Sequence, residues 1–155
     1  MTQALAAAPP GGLRSLTGRR RSLGGLPATT ALLGSLLYDT HRQGAWFVIV
    51  GNAVAGLWAL GAHRWEQLRV RYLWWLTAVV ELAVAVQVVL GVVLLNTEKR
   101  RPEQFHMFYG FVAFATVGII YAYRAQLRDQ LYLLYGGGGL FLMGLGIRAI
   151  QVSGR

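Results

Sequence analysis

The chain has 155 residues, of which 55% are hydrophobic and only 14% charged, with no cysteine and a formal net charge of +9. Soluble domains carry roughly one quarter charged residues, so this composition excludes a chain solvated mainly by water. The missing cysteine excludes disulfides, thiolate metal sites and cysteine nucleophiles. The length leaves room for one compact unit. The positive excess does not read as a nucleic-acid face: Arg14, Arg19, Arg20, Arg21 and Arg42 precede the first long apolar run and the other basic residues flank apolar runs. That distribution belongs to membrane topology, and the anionic partner it implies is an acidic lipid headgroup.

Residues 1–28 are rich in Ala, Pro, Gly and Arg without periodicity and read as a flexible basic tail. Arg19, Arg20 and Arg21 have the look of a twin-arginine export signal. Gly24, Gly25 and Pro27 interrupt the stretch that follows and no small-residue cleavage site comes after it, so a retained tail is expected. Over 29–42, Leu32, Leu33, Leu36 and Leu37 recur at helical spacing. The segment is too short to span a bilayer and is expected to be an amphipathic helix in the membrane interface.

Four runs of 45–62, 72–95, 106–123 and 131–149 then follow, uncharged or nearly so within their apolar stretches. With modest flanking extension, each supplies the roughly 20 residues needed to cross a 30 Å hydrocarbon core. The connections between them are too short for a soluble domain. The fold class expected is therefore an all-α membrane protein, a four-transmembrane-helix bundle of two antiparallel hairpins with a juxtamembrane amphipathic helix. Trp46, Trp65, Tyr72, Trp74, Trp75, Tyr121, Tyr123 and Tyr132 lie near run ends as interface anchors. Ten of the fifteen basic residues fall on the side of the N-terminus. This favours both termini on the cytoplasmic side of a cell inner or plasma membrane.

Glu81 is the only acidic residue inside a predicted span, where an ionisable group is expensive unless it faces protein, water or a partner. Counting about 1.5 Å per residue from the run ends puts Glu81 and Thr116 at one depth, and Asn52 and Gln87 at another. Each pair is expected to meet. A protonated Glu81 hydrogen-bonded between helices is the simpler reading and a proton or cation relay the sharper one. Asn52 shares a stripe with Ala55, Gly56 and Ala59, and Gln87 one with Ala83 and Gly91. Small residues of this kind let helix backbones approach, so these stripes read as packing surfaces. The Glu81 face of the second helix points away from its Gln87 face, leaving Glu81 to meet another helix of the bundle or a partner subunit.

His106 opens the third span, and Tyr109, Gly110, Ala113, Thr116 and Ile120 continue its face. Membrane haem proteins commonly use two axial histidines. His63 lies at the far side of the bilayer, whereas His41 lies on the same side as His106 and is the candidate second ligand. The run Gln87-Val-Val-Leu90-Gly91, followed after a short loop by His106, resembles the helix pair of haem A synthases, in which a glutamine and leucine-glycine helix precedes a haem-ligating histidine. The resemblance implies haem ligation by His106. It does not extend to that family's second histidine in a paired span, nor to the acidic and histidine motif of its first half.

Gly136, Gly137, Gly138 and Gly139 form a glycine run inside the fourth span. Each glycine lowers helix propensity by about 1 kcal/mol relative to alanine, so a close neighbour is expected there. Gly144 and Gly146 extend the surface. No lysine, serine or preceding strand accompanies the run, so it is no phosphate loop. There is no Ser, His and Asp set, no pair of carboxylates and no metal-ligand spacing, which argues against an enzyme. The function expected first is a non-catalytic accessory or structural subunit with protein partners in a larger membrane complex. A small haem-binding or redox protein using His106 and His41 is the alternative. A proton-coupled transporter centred on Glu81 comes third, since internal repeats and broken helices are missing.

Overall fold

The computed structural model describes residues 28–98 and 104–153; the basic tail ahead of Ala28 lies outside them. The described residues fold into four long helices: α1 (Ala28–Arg64), α2 (Arg71–Glu98), α3 (Gln104–Tyr123) and α4 (Leu131–Ser153), with short 3-10 turns at Glu66–Leu68 and Arg128–Gln130. All four are long and apolar enough to cross a membrane. Helices of spanning length cover the four expected runs; α2, α3 and α4 exceed theirs by at most a few residues and α1 by far more.

The separation expected between a surface helix and the first span does not occur. α1 continues through Arg42, Gln43 and Gly44 as one helix of 37 residues, because none of these residues lacks an amide donor or clashes with the preceding turn. At about 1.5 Å per residue it is about 55 Å long, well beyond a 30 Å hydrocarbon core.

α1 packs most extensively on α4 and then on α2, α3 packs mainly on α4, and α2 and α3 touch little. The core is accordingly thin. Leu73, Leu142 and Val80 are the largest fully buried side chains. By contrast, Tyr72, Phe111, Trp75 and Leu82 are among many large apolar residues that stay exposed. A water-soluble protein rarely exposes apolar patches beyond a few hundred Å², whereas lipid tails solvate such a surface.

The α1–α4 seam depends on glycine. A Cβ on Gly139 would lie 3.0 Å from the Gly56 Cα and 3.1 Å from the Asn52 carbonyl oxygen, and one on Gly56 would lie 3.0 Å from the Gly136 carbonyl oxygen. Backbone meets backbone here, and no side chain fits between. Gly136 faces Leu60 and Gly138 faces Ile120 of α3, while Gly137 has open space around it. The glycine run thus serves two neighbouring helices at once.

The α1–α2 turn is held by Arg69, whose Nε donates to the Ala62 carbonyl at 2.9 Å and whose Nη2 donates to that of His63 at 3.4 Å. These are the carbonyls a helix leaves without partners at its C-terminus. Trp58 Nε1 donates to the Leu68 carbonyl at 3.1 Å and ties the same turn to α1. Beneath it, Leu73 packs with Ala59 and Ala62, with Trp58, Tyr132 and Tyr135 around them.

Candidate functional site: a histidine pair at one end of the helices

The end of the assembly opposite Leu73 brings together His41 of α1, Gln87 and Gly91 of α2, His106 of α3 and Ala149 of α4. The His41 and His106 rings have centroids 6.0 Å apart and planes inclined by 71°. His106 Nδ1 lies 3.0 Å from the Ala149 carbonyl oxygen. A carbonyl only accepts, so Nδ1 is the donor in this contact and Nε2 is the nitrogen left for another partner. This is how ligating histidines are commonly oriented, through the nitrogen that does not bind.

His41 is positioned from α2. Gln87 Nε2 donates to the His41 carbonyl at 2.9 Å, and the Gln87 side chain stands against the His41 imidazole as well. His41 Nδ1 and Gln87 Oε1 are buried and neither has a hydrogen-bond partner. Gly91 lies one turn further along α2, and a Cβ there would already be 3.4 Å from His41 Cε1. On α3, Gly110 follows His106 by one turn, with open space where a Cβ would stand.

Two imidazoles each bonded to one metal through a nitrogen about 2.0–2.1 Å away, with the ring centre about 1 Å further out, have ring centres no more than about 6.5 Å apart. The observed separation fits. Among the described residues no group of three or more His, Cys, Asp or Glu side chains comes together, so a bare ion would have too few protein ligands for a tetrahedral site. Haem iron needs only two, because the porphyrin supplies four nitrogens.

The expected pairing of Asn52 with Gln87 does not form. Asn52 is 2% exposed and donates to the Val48 carbonyl of its own helix at 2.8 Å, while Gln87 is engaged by His41. α1 begins well before Ala45, and its earlier turns place His41 and not Asn52 opposite Gln87. Glu81 and Thr116 are not hydrogen-bonded either. Thr116 Oγ1 donates to the Val112 carbonyl at 2.7 Å, as threonine often does within a helix.

Glu81 is 9% exposed, and among the described residues no donor bonds its carboxyl group. Trp74 lies two turns before it on the same face of α2, 5.3 Å from both the Tyr132 and Tyr135 rings of α4. The Glu81 face is therefore turned towards α4 of the same chain. His63 belongs to this end of the assembly, beside Arg69.

Comparison with family models, with curated proteins and with solved structures gives no match. The site stands on its own geometry.

Proposed function

We propose that this chain is a multi-pass membrane protein that binds haem, which His41 and His106 would hold through their imidazoles. The observation that carries the reading is the approach of two imidazoles from residues far apart in sequence to a ring separation of 6.0 Å. Haem, when bound, supplies one-electron chemistry. The chain's own residues do the rest: the Ala149 carbonyl orients His106, Gln87 holds the backbone of His41, and Gly91 keeps a side chain away from the His41 ring. In this reading the helices form two antiparallel hairpins across the inner or plasma membrane, with both termini cytoplasmic and basic residues against anionic lipid.

The experiment is a visible spectrum of the protein purified from haem-replete cells, with His106→Ala and His41→Ala beside it. A Soret band that is retained in the parent and lost or strongly changed in both variants supports the reading. A parent with no Soret band, also after reconstitution with hemin, refutes it.

A second reading, an accessory subunit of a larger membrane complex, is compatible with the first. It is favoured by the N-terminal turns of α1, which run past His41 with Leu32, Leu33 and Leu36 about 60% exposed. Purification in mild detergent with mass spectrometry of co-purifying chains tests it; a chain that runs alone counts against it.

A further inference from the structure

The end of the assembly that carries the α1–α2 turn also carries the turn from α3 to α4. A cleft of about 350 Å³ opens there, lined by Trp74, Arg124, Ala125, Arg128, Leu131 and Tyr135. Trp74 comes from the first turn of α2, Leu131 and Tyr135 from the first two turns of α4, and the other three from the turn that follows Tyr123. Helix ends of this kind stand at the headgroup level when their apolar runs lie in a bilayer. The volume lies within the range of about 300–1,000 Å³ found for small-ligand pockets.

Two cations line this space without an anion. Among the described residues Arg69 and Glu66 form the one ion pair, so neither Arg124 nor Arg128 is paired, although Asp129 follows Arg128 directly in the chain. Arg124 lies over the Tyr121 ring at 4.0 Å, which holds the guanidinium without cancelling its charge. The remaining wall is largely apolar: Ala125, Leu131 and the Trp74 ring, which packs 5.3 Å from the Tyr132 and Tyr135 rings. Tyr135 adds a hydroxyl that can donate to an oxygen. Towards the middle of the helices, Val79 and Leu82 of α2 and Phe114 and Ile119 of α3 remain about half exposed or more, a surface for hydrocarbon.

Basic residues at span ends are expected of topology alone. Arg64 is one of them at this end, and it lines no part of the cleft. Arg124 and Arg128 differ in sharing one cavity with aromatic and aliphatic walls. Two guanidiniums lining one cavity suit an oxyanion, and an apolar wall at the membrane surface suits one that carries hydrocarbon. A zwitterionic headgroup would bring its own ammonium against the pair. We propose that this cleft binds the phosphate of an anionic phospholipid of the phosphatidylglycerol class, with Arg124 and Arg128 pairing the phosphate and Trp74 and Leu131 against the glycerol and the start of the acyl chains. The site lies at the other end of the helices from the histidine pair and does not depend on haem.

Native mass spectrometry of the full chain in detergent tests this, with phosphatidylglycerol and phosphatidylcholine of the same acyl chains titrated separately. The parent is expected to retain one phosphatidylglycerol per chain and to bind phosphatidylcholine about tenfold more weakly. The double variant Arg124→Gln, Arg128→Gln is expected to lose that preference. Ala125→Trp, which fills the cleft and keeps both charges, is expected to lower phosphatidylglycerol binding to the level of the double variant. Arg64→Gln, which removes a charge from the same end outside the cleft, is expected to bind as the parent does. Equal binding of the two lipids by the parent overturns the proposal and needs no variant. So does parent-like binding in the double variant or in Ala125→Trp. A loss in Arg64→Gln as large as in the double variant means diffuse attraction to the surface and overturns it too. Inorganic phosphate in excess is expected to leave the lipid bound; displacement of the lipid would make the cleft a site for a free oxyanion and overturn the lipid assignment. Circular dichroism of each variant confirms the fold.

Discussion

The side-chain amide of Gln87 donates to the main-chain carbonyl of His41 over 2.9 Å, joining residues 46 positions apart. A carbonyl inside a helix has two lone pairs and spends one on the helix ladder, so this bond uses the second. It locks α2 against α1 at the level of the imidazole pair.

Replacing Gln87 separates that role from plain stability. Gln87→Leu loses one hydrogen bond, about 0.5–1.5 kcal/mol, but also removes a buried acceptor oxygen without a partner, whose burial costs a similar amount. Thermal unfolding in detergent is expected to move little. Gln87→Glu keeps an acceptor and places it against the His41 carbonyl oxygen with no donor between them, so it is expected to be clearly the more destabilising of the two. Equal losses in both variants would show that the amide bond contributes nothing beyond its volume.

The glycine seam makes a sharper contrast. Gly139→Ala drives a methyl to 3.0 Å from the Gly56 Cα and 3.2 Å from its nitrogen, a backbone that has no rotamer by which to retreat. Overpacking of this kind costs about 1–3 kcal/mol. Gly137→Ala, two residues away, meets nothing within 4 Å and gains up to about 1 kcal/mol of helix propensity. Unfolding midpoints are expected to move in opposite directions; a Gly139→Ala protein as stable as the parent would remove the case for backbone contact between α1 and α4.

The turn between α1 and α2 turns on one arginine. Arg69→Met leaves the Ala62 and His63 carbonyls without their guanidinium donor and vacates the Tyr132 ring, over which Arg69 lies at 5.3 Å. Hydrogen bonds from charged groups contribute about 1.5–3 kcal/mol, and a loss in that range is expected. Glu66→Gln removes only a 3.5 Å ion pair to a largely exposed carboxylate, for which less than about 0.5 kcal/mol is expected. If Glu66→Gln were the more damaging variant, the ion pair and not the cap would hold the turn.

What the sequence reveals here divides along physical lines. Four spans, the Asn52, Ala55, Gly56 and Ala59 stripe, and the nearness of His41 to His106 follow from periodicity and depth, which composition carries directly. Depth fails when its origin is wrong: counted from Ala45, Asn52 seems level with Gln87, whereas the helix begins at Ala28 and brings His41 there instead. Partners supplied by the main chain are invisible to a sequence, so the Ala149 carbonyl behind His106 and the Val112 carbonyl that takes the Thr116 hydroxyl were out of reach. Trp74 and Tyr132 read as interface anchors by position, and only the structure shows that the Trp74 ring lies 5.3 Å from the Tyr132 and Tyr135 rings of α4.

Glu81 is where the two kinds of reading diverge most. A carboxyl group that bonds neighbouring helices together would be replaced well by glutamine and badly by leucine. In the structure it has no such bond, so there is nothing for leucine to break, and the desolvation of a polar group, about 1–3 kcal/mol in protein mutational data, is relieved. Glu81→Leu is therefore expected to be at least as stable as the parent, and Glu81→Gln, which keeps a buried polar group without a partner, no more stable than Glu81→Leu. Unfolding midpoints in one detergent, measured side by side, decide the matter. The reverse order, with glutamine tolerated and leucine losing more than about 1 kcal/mol, would mean that the carboxyl finds a donor after all and that its first role is to hold the helices together.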